Sequence, residues 1–283
     1  MNSRKELIEV FQDTAEWCRQ DKTLAAAVRK AREQSVIYPD GTELRLPEKK
    51  PAGKTLIEVT ARRSFEAAMA LQQDYPKAKA AVHNFASATN PGGGVTRGSR
   101  AQEECLCRCS TLYPVLRSQT FWDKFYGYHR SLHDTRYTDT CIYSPGILII
   151  KTDTDVPERM DQREWHRVDV LTCAAPNLRE RRYDDAKPGR GSSIRVSDEE
   201  LLTLHKKRGR HMLSAAAVNG AECLVLGAFG CGAFQNKPEI VAEAYRQILK
   251  DFDGYFRKIE FAVYCTPRDS RNYNVFREVL GTE

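Results

Sequence analysis

Residues 82–104 read VHNFASATNPGGGVTRGSRAQEE. A short apolar run ends at Asn84, a small-residue segment runs to Pro91, and Gly92, Gly93 and Gly94 follow. Seven residues later stand Gln102, Glu103 and Glu104. Successive glycines let the backbone take positive φ and bring bare N–H groups against a bulky anion. A carboxylate pair close behind offers proton transfer beside that anion. The expected chemistry is therefore cleavage, by a glutamate, of a phosphate-bearing sugar nucleotide. On a helix, neighbouring side chains diverge by ~100°, so the two glutamates are expected to take different tasks, one holding sugar hydroxyls and one moving a proton. The competing reading is a solvated acidic first turn favoured by the helix dipole. Asn84 and Asn90 can both donate to and accept from ribose hydroxyls; turn formation explains Asn90 before Pro91 equally well.

A second glycine loop lies far along the chain. LVLGAFGCGAFQNKP places Gly227, Phe229, Gly230, Cys231, Gly232, Ala233 and Phe234 between an apolar run and a helix starting near Pro238. Diphosphates in open α/β sheets sit at strand carboxyl ends, on backbone N–H groups and helix N-termini. Two loops of this kind, each after an apolar strand, form the candidate cradle. Phe229 and Phe234 either stack on a base or sugar face or pack in the core. The spacing is GxxGxG rather than GxGxxG, and there is no GxxxxGK[ST], so redox use of NAD and ATP hydrolysis are both disfavoured. Cys105, Cys107 and Cys109 do not share one helical face and no CxxC accompanies them, so no metal is expected. The residues single out no Cys–His nucleophile pair.

These residues need a scaffold that brings two distant loops together. Helical spacing covers 2–35; residues 36–54 are a turn-rich connector with room for a short hairpin; and strands are expected at 55–60, 78–85, within 141–152 after a turn at Pro145-Gly146, 167–177, 221–229 and 258–266. Helices are expected at 64–75 with Ser64 as N-cap, from 101 to near Pro114, at 198–218 with Ser197 and Glu200 as a capping box, at 238–252 and at 270–280. The aromatic run FWDKFYGYHRSL reads as a short helix or lid, and the basic stretch 178–196 as a loop. Alternating strands and helices give an α/β fold with a largely parallel sheet. The division expected is an N-terminal helical extension, 1–50, and one compact catalytic unit, 51–283.

The chain has 283 residues and a net charge of +6, which suits an anionic ligand without requiring nucleic acid. Basic and aromatic residues are not interleaved as in nucleic-acid modules. No run is long and apolar enough to span a membrane, and the charged N-terminus is unlike a signal peptide. Nine cysteines without a small-scaffold spacing imply reduced thiols and a cytoplasmic location, or a nuclear one in a eukaryote.

The two motifs together resemble the poly(ADP-ribose) glycohydrolases of microbial type: NFASATNPGGG, seven residues, then QEE, and LVLGAFGCGAFQNKP. YTDTCIYSPGI, TCAAPN and FAVYCT are similar to other recurring segments, and the likeness runs in order from about residue 10 to 280. The resemblance implies a macrodomain-like α/β/α sandwich with a mixed central sheet, binding ADP-ribose across its strand ends, with no cofactor. It implies that Glu104 is the catalytic acid, that Glu103 positions the terminal ribose hydroxyls, and that Asn90 and Gly92 to Gly94 meet the distal ribose and diphosphate. Gly230 to Phe234 would wrap the diphosphate, with Phe234 against the terminal ribose. Partners implied are ADP-ribose and ADP-ribosylated proteins, acted on by a monomer. The sequence departs at Gln235, where the family usually has Gly before Asn. A mono-ADP-ribosyl-protein hydrolase and a non-catalytic ADP-ribose reader are the alternatives; a reader has no need of the paired glutamates.

Overall fold

A computed structural model of the chain describes residues 3–48, 53–179 and 194–281. Most of the basic stretch 178–196 thus lies outside the described residues. Those described form one seven-stranded sheet in the order β1-β4-β5-β3-β6-β7-β2, comprising β1 (Val36–Tyr38), β2 (Leu56–Thr60), β3 (Ala80–Phe85), β4 (Cys141–Ile149), β5 (His166–Cys173), β6 (Cys223–Leu226) and β7 (Lys258–Ala262). β2, β3, β5, β6 and β7 run parallel; β4 pairs antiparallel with both β1 and β5. The sheet is mixed, as the family resemblance implies, and largely parallel, with four parallel and two antiparallel pairings.

Period-two alternation on the strands divides the interior into two cores. Val82, Val170 and Val225 face one side, with Phe11 and Val28 of α1 (Arg4–Gln20) and α2 (Lys22–Gln34) and with Phe65 of α3 (Ser64–Asp74). Ala81, Leu171 and Leu224 face the other, against Met212 of α8 (Asp198–Val218), Tyr245 of α9 (Pro238–Ile248) and Phe276 of α10 (Arg271–Leu280). This is a three-layer α/β/α sandwich.

The span expected as an N-terminal extension is built into the sandwich. β1 is the edge strand on β4, and Thr14 Oγ1 of α1 donates to the Arg108 carbonyl at 2.6 Å. That carbonyl belongs to α4 (Gln102–Cys109), the helix of the paired glutamates.

Four local expectations are corrected. The turn expected at Pro145-Gly146 is a bulge inside one long strand, β4, where Gly146 takes φ of 72°. Ser64 is the first residue of α3, not its cap; Asp153 Oδ2 accepts from the Phe65 N–H at 2.9 Å from across the chain. The helix expected from 101 towards Pro114 stops at Cys109 and restarts as α5 (Leu112–Leu116). The break comes at Ser110, whose extended backbone bridges to Ile149 of β4. The aromatic run is helical: α6 (Gln119–Phe121), a π-turn (Trp122–Tyr126) and α7 (Gly127–Leu132). Ser197 caps α8 as expected, but the Glu200 side chain is turned to Arg136.

Candidate active site

Because five strands run parallel, their carboxyl ends share one edge of the sheet. A cavity of about 320 Å³ opens along that edge. Its walls come from the residues just beyond each strand: Arg62 to Ser64 after β2, Phe85 to Ser87 after β3, Ala175 after β5, Ala228 to Gly230 and Gly232 to Phe234 after β6, and Val263 and Tyr264 after β7. The first turn of α4 closes the remaining side with Gln102, Glu103 and Glu104. This is the crevice position that ligands of open α/β sheets occupy.

The glutamates are not a solvated first turn. Glu103 is 2% and Glu104 7% exposed. Glu103 Oε2 accepts from the Ser87 N–H at 2.8 Å, and its Oε1 lies 3.4 Å from Asn84 Nδ2. Glu104 Oε1 accepts from the Gly94 N–H at 2.7 Å; its Oε2 is buried and has no partner among the described residues. Burial pushes Glu103 up to about 8, partly offset by its bond from Ser87, with the adjacent Glu104 charge adding to the rise. At neutral pH Glu103 therefore retains its proton.

Gly93 explains why three glycines precede this helix. It takes φ of 58°, and a Cβ there would collide with Glu104 Oε1 and sit 3.0 Å from Glu103 Oε2. Although the two side chains leave the helix in different directions, both carboxylates reach the same glycine. Gly92, with φ of 69°, likewise has Tyr113 Cδ2 at 2.6 Å from its would-be Cβ. The loop's N–H groups are accordingly turned inward. Gly94 donates to Glu104, Gly93 to the Asn90 carbonyl, and the Gly92 N–H helps hold the Glu103 charge. Two of the loop's three N–H groups thus serve the acids.

Gln102 ties the acids to the sheet. Its Oε1 accepts from the Phe85 N–H at 2.9 Å, and its Nε2 donates to the His83 carbonyl at 2.6 Å and Ser64 Oγ at 3.0 Å. It borders the cavity, but both ends of its amide are engaged within the protein. Asn84 is fully buried beneath the site, donating to Thr172 Oγ1 at 3.2 Å as well as towards Glu103. Asn90 lies outside the cavity lining; its Oδ1 accepts from Arg130 at 2.6 Å.

The second loop keeps its backbone open. Gly232 has no atom within 4 Å of a would-be Cβ, and among the described residues the N–H groups of Gly232, Ala233 and Phe234 carry no bond. Gly230 takes φ of 80°, where a Cβ would meet Ala175 and Asn236 at 2.6 and 2.7 Å. Gly227 serves packing, since a Cβ would lie 2.7 Å from the Ala262 carbonyl. Phe229 is core, 4.4 Å from the His83 ring and 5.7 Å from Phe85. Cys231 lies off the cavity lining, its Sγ on the Phe229 carbonyl and its thiol raised by burial. Phe234 stands in the cavity wall.

Sequence reading missed Asn236, the hub of this loop. Its buried amide donates to the carbonyls of Pro176, Gly230 and Phe234 at 2.7, 3.1 and 3.3 Å, so its Oδ1 is the acceptor of the His205 Nε2 proton at 2.8 Å. An Asn closing a glycine-rich loop just before a helix-initiating Pro was the available signal. The far end of the cavity was also missed: Arg62, Arg63, Asp153 and Tyr264. There Arg62 pairs with buried Glu260 at 3.2 Å, and the Arg63 guanidinium lies 4.1 Å over the Tyr264 ring. These residues are scattered through the chain, and no local motif marks them. Among the described residues no group of three or more His, Cys, Asp and Glu is arranged to hold a metal ion.

The carboxylate pair on a glycine loop, facing a second loop of open N–H groups, defines a class of glycosyl-bond site on an α/β sandwich. Residues 5–152 match the catalytic domain of microbial-type PARG, and the chain belongs to that family. Among solved structures it is similar to the poly(ADP-ribose) glycohydrolase of Thermomonospora curvata, with 31% identity and a TM-score of 0.79 over 97% of this chain and 99% of that one. It also resembles that enzyme bound to the inhibitor ADP-HPD, with 31% identity and a TM-score of 0.76 over 96% and 98%. The poly(ADP-ribose) glycohydrolase of Deinococcus radiodurans in complex with ADP-ribose matches with 33% identity and a TM-score of 0.71 over 89% and 96%. No curated protein matches the chain.

Proposed function

We propose that this chain is a glycosyl hydrolase that cleaves the ribose–ribose O-glycosidic bond of poly(ADP-ribose) and releases ADP-ribose, with Glu104 as general acid. The observation that carries the reading is the pair itself: two buried carboxyls that line the cavity, Glu103 lifted to about 8 and Glu104 with its Oε2 unpartnered among the described residues. The bond is an acetal, broken through an oxocarbenium-like state, so the leaving oxygen needs a proton as the bond lengthens. Glu104 protonates the leaving oxygen, and the carboxylate left behind takes a proton from the attacking water. Glu103, fixed by Ser87 and Asn84, orients the ribose hydroxyls. The open N–H groups of Gly232 to Phe234 hold the diphosphate, whose negative charge near the sugar stabilises the cation. Partners are ADP-ribosylated proteins, and the net charge of +6 favours such polyanions. A cytoplasmic site of action fits nine unpaired cysteines, and no helix among the described residues is long and apolar enough to cross a membrane.

The test is a release assay on protein carrying polymer and on protein carrying single ADP-ribose units, beside calorimetry with ADP-ribose. Release from the polymer is expected. Release only from singly modified protein would replace this reading with a mono-ADP-ribosyl hydrolase, and binding without release with a reader.

A further inference from the structure

Among the described residues three non-glycines take left-handed backbone: His133 at φ of 54°, Tyr137 at 57° and Gln235 at 58°. For a bulky aromatic such as Tyr137 this conformation is costly, and it persists only where surrounding structure enforces it. The three positions belong to two loops, 133–139 and 227–236. The loops meet at one ring contact, with the centroids of Tyr137 and Phe234 6.4 Å apart and the planes tilted by 49°. That separation lies within the range of favourable aromatic pairs.

Everything around Tyr137 is anchored. The Arg136 N–H donates to Asp134 Oδ1 at 2.8 Å, and the Arg136 carbonyl accepts from buried Arg208 at 3.0 Å. The Thr135 carbonyl accepts from the Asn177 N–H at 2.7 Å. Asp139 pairs with Arg208 at 3.0 Å. Behind the Tyr137 ring stands the buried ring of His129, 5.6 Å away, whose Nε2 accepts from the Thr138 N–H at 3.3 Å. Tyr137 itself does not line the cavity, whereas Phe234 does. Phe234 also packs against the core on the α8 side, and its carbonyl accepts from Leu178 and Asn236.

We infer that Tyr137 is a positioning residue. The strained 133–139 loop holds its ring against Phe234, and Phe234 in turn sets how the scissile sugar sits before Glu104. The inference rests on the glycohydrolase reading above. Loss of such a brace leaves binding nearly intact and misplaces the reacting sugar, so it acts on kcat rather than KM.

Two variants test it. Tyr137→Phe keeps the ring. Tyr137→Gly removes the ring, which also packs against the core, and eases the left-handed backbone, which offsets part of that loss. For polymer hydrolysis, Tyr137→Gly is expected to lower kcat about tenfold with KM within about threefold, and Tyr137→Phe to stay within about twofold of the parent. Melting curves by circular dichroism accompany the kinetics. A Tyr137→Gly enzyme with unchanged kcat per folded molecule overturns the inference, whether or not its melting temperature falls. Equal losses in both variants overturn it too, because the ring would then not matter. If the parent chain releases no ADP-ribose at all, the glycohydrolase reading fails and the role of Tyr137 falls with it.

Discussion

Single residues decide whether this edge of the sheet is a site or only a set of turns. The two glycine loops look alike in sequence, yet they do different work. Gly93 exists so that two carboxylates can approach bare backbone, whereas Gly232 faces open space. Alanine distinguishes them. Gly93→Ala places a methyl against both acids at positive φ, and we expect hydrolysis to fall by about 10²-fold with lowered thermal stability. Gly232→Ala has room and no left-handed backbone, so stability should hold while ADP-ribose affinity measured by calorimetry falls, because the methyl occupies ligand space. Unchanged affinity in Gly232→Ala would remove the second loop from the diphosphate. Sequence alone marked both loops and the acids. It did not reveal that Gly92–Gly94 face inward, since the direction of an N–H depends on what packs behind it, here Tyr113 and the two glutamates.

Elements bring these residues together through few ties. Gln102 joins the start of α4 to β3 and α3 by three side-chain bonds. Replacing it with Leu leaves the Phe85 N–H and His83 carbonyl unsatisfied, and a destabilisation of about 2–4 kcal/mol is expected in denaturant unfolding. A cost near zero would mean that α4 is seated by its core face alone. The pattern of strands and helices was readable because buried strands are apolar runs and the helices carry caps and periodicity. Boundaries failed where distant side chains intervene. Asp153 caps α3 from across the molecule, and the bulge at Gly146 keeps β4 continuous where Pro-Gly suggests a turn. Likewise, the amide of Asn84 suits ribose hydroxyls in the sequence, and in the fold it donates to Thr172 and points towards Glu103.

At the scale of the whole molecule, burial of ionisable groups gives folding a two-sided pH dependence. His83, His129 and His205 are driven down by desolvation to about 3, 4 and 4 from 6.5. Their folded values lie below the unfolded one, so the stability they permit is complete above about 6.5 and is lost as pH falls towards 4. Glu103 acts in the opposite sense: raised to about 8 from 4.5, its contribution is present below 4.5 and lost as pH rises through about 8. The melting temperature should therefore peak between these limbs. Among the described residues neither ring nitrogen of His83 has a partner, and its ring neighbours include Phe85 and Phe229. His83→Phe should flatten the acid limb, and an acid limb as steep as the parent's would show that His83 does not contribute to it. Nothing in the local sequence around His83 announces burial; that follows from β3 lying at the centre of the sheet.

The account turns on Glu104 as the proton donor, and Glu104→Gln tests it most directly. The amide keeps the side chain's shape and its place against Gly94 but cannot give a proton. Release of ADP-ribose from polymer-modified protein should fall at least ~10³-fold, while calorimetry finds ADP-ribose bound within a few-fold of the parent affinity. Full turnover by Glu104→Gln, with binding intact, would contradict the mechanism and move the acid to another residue.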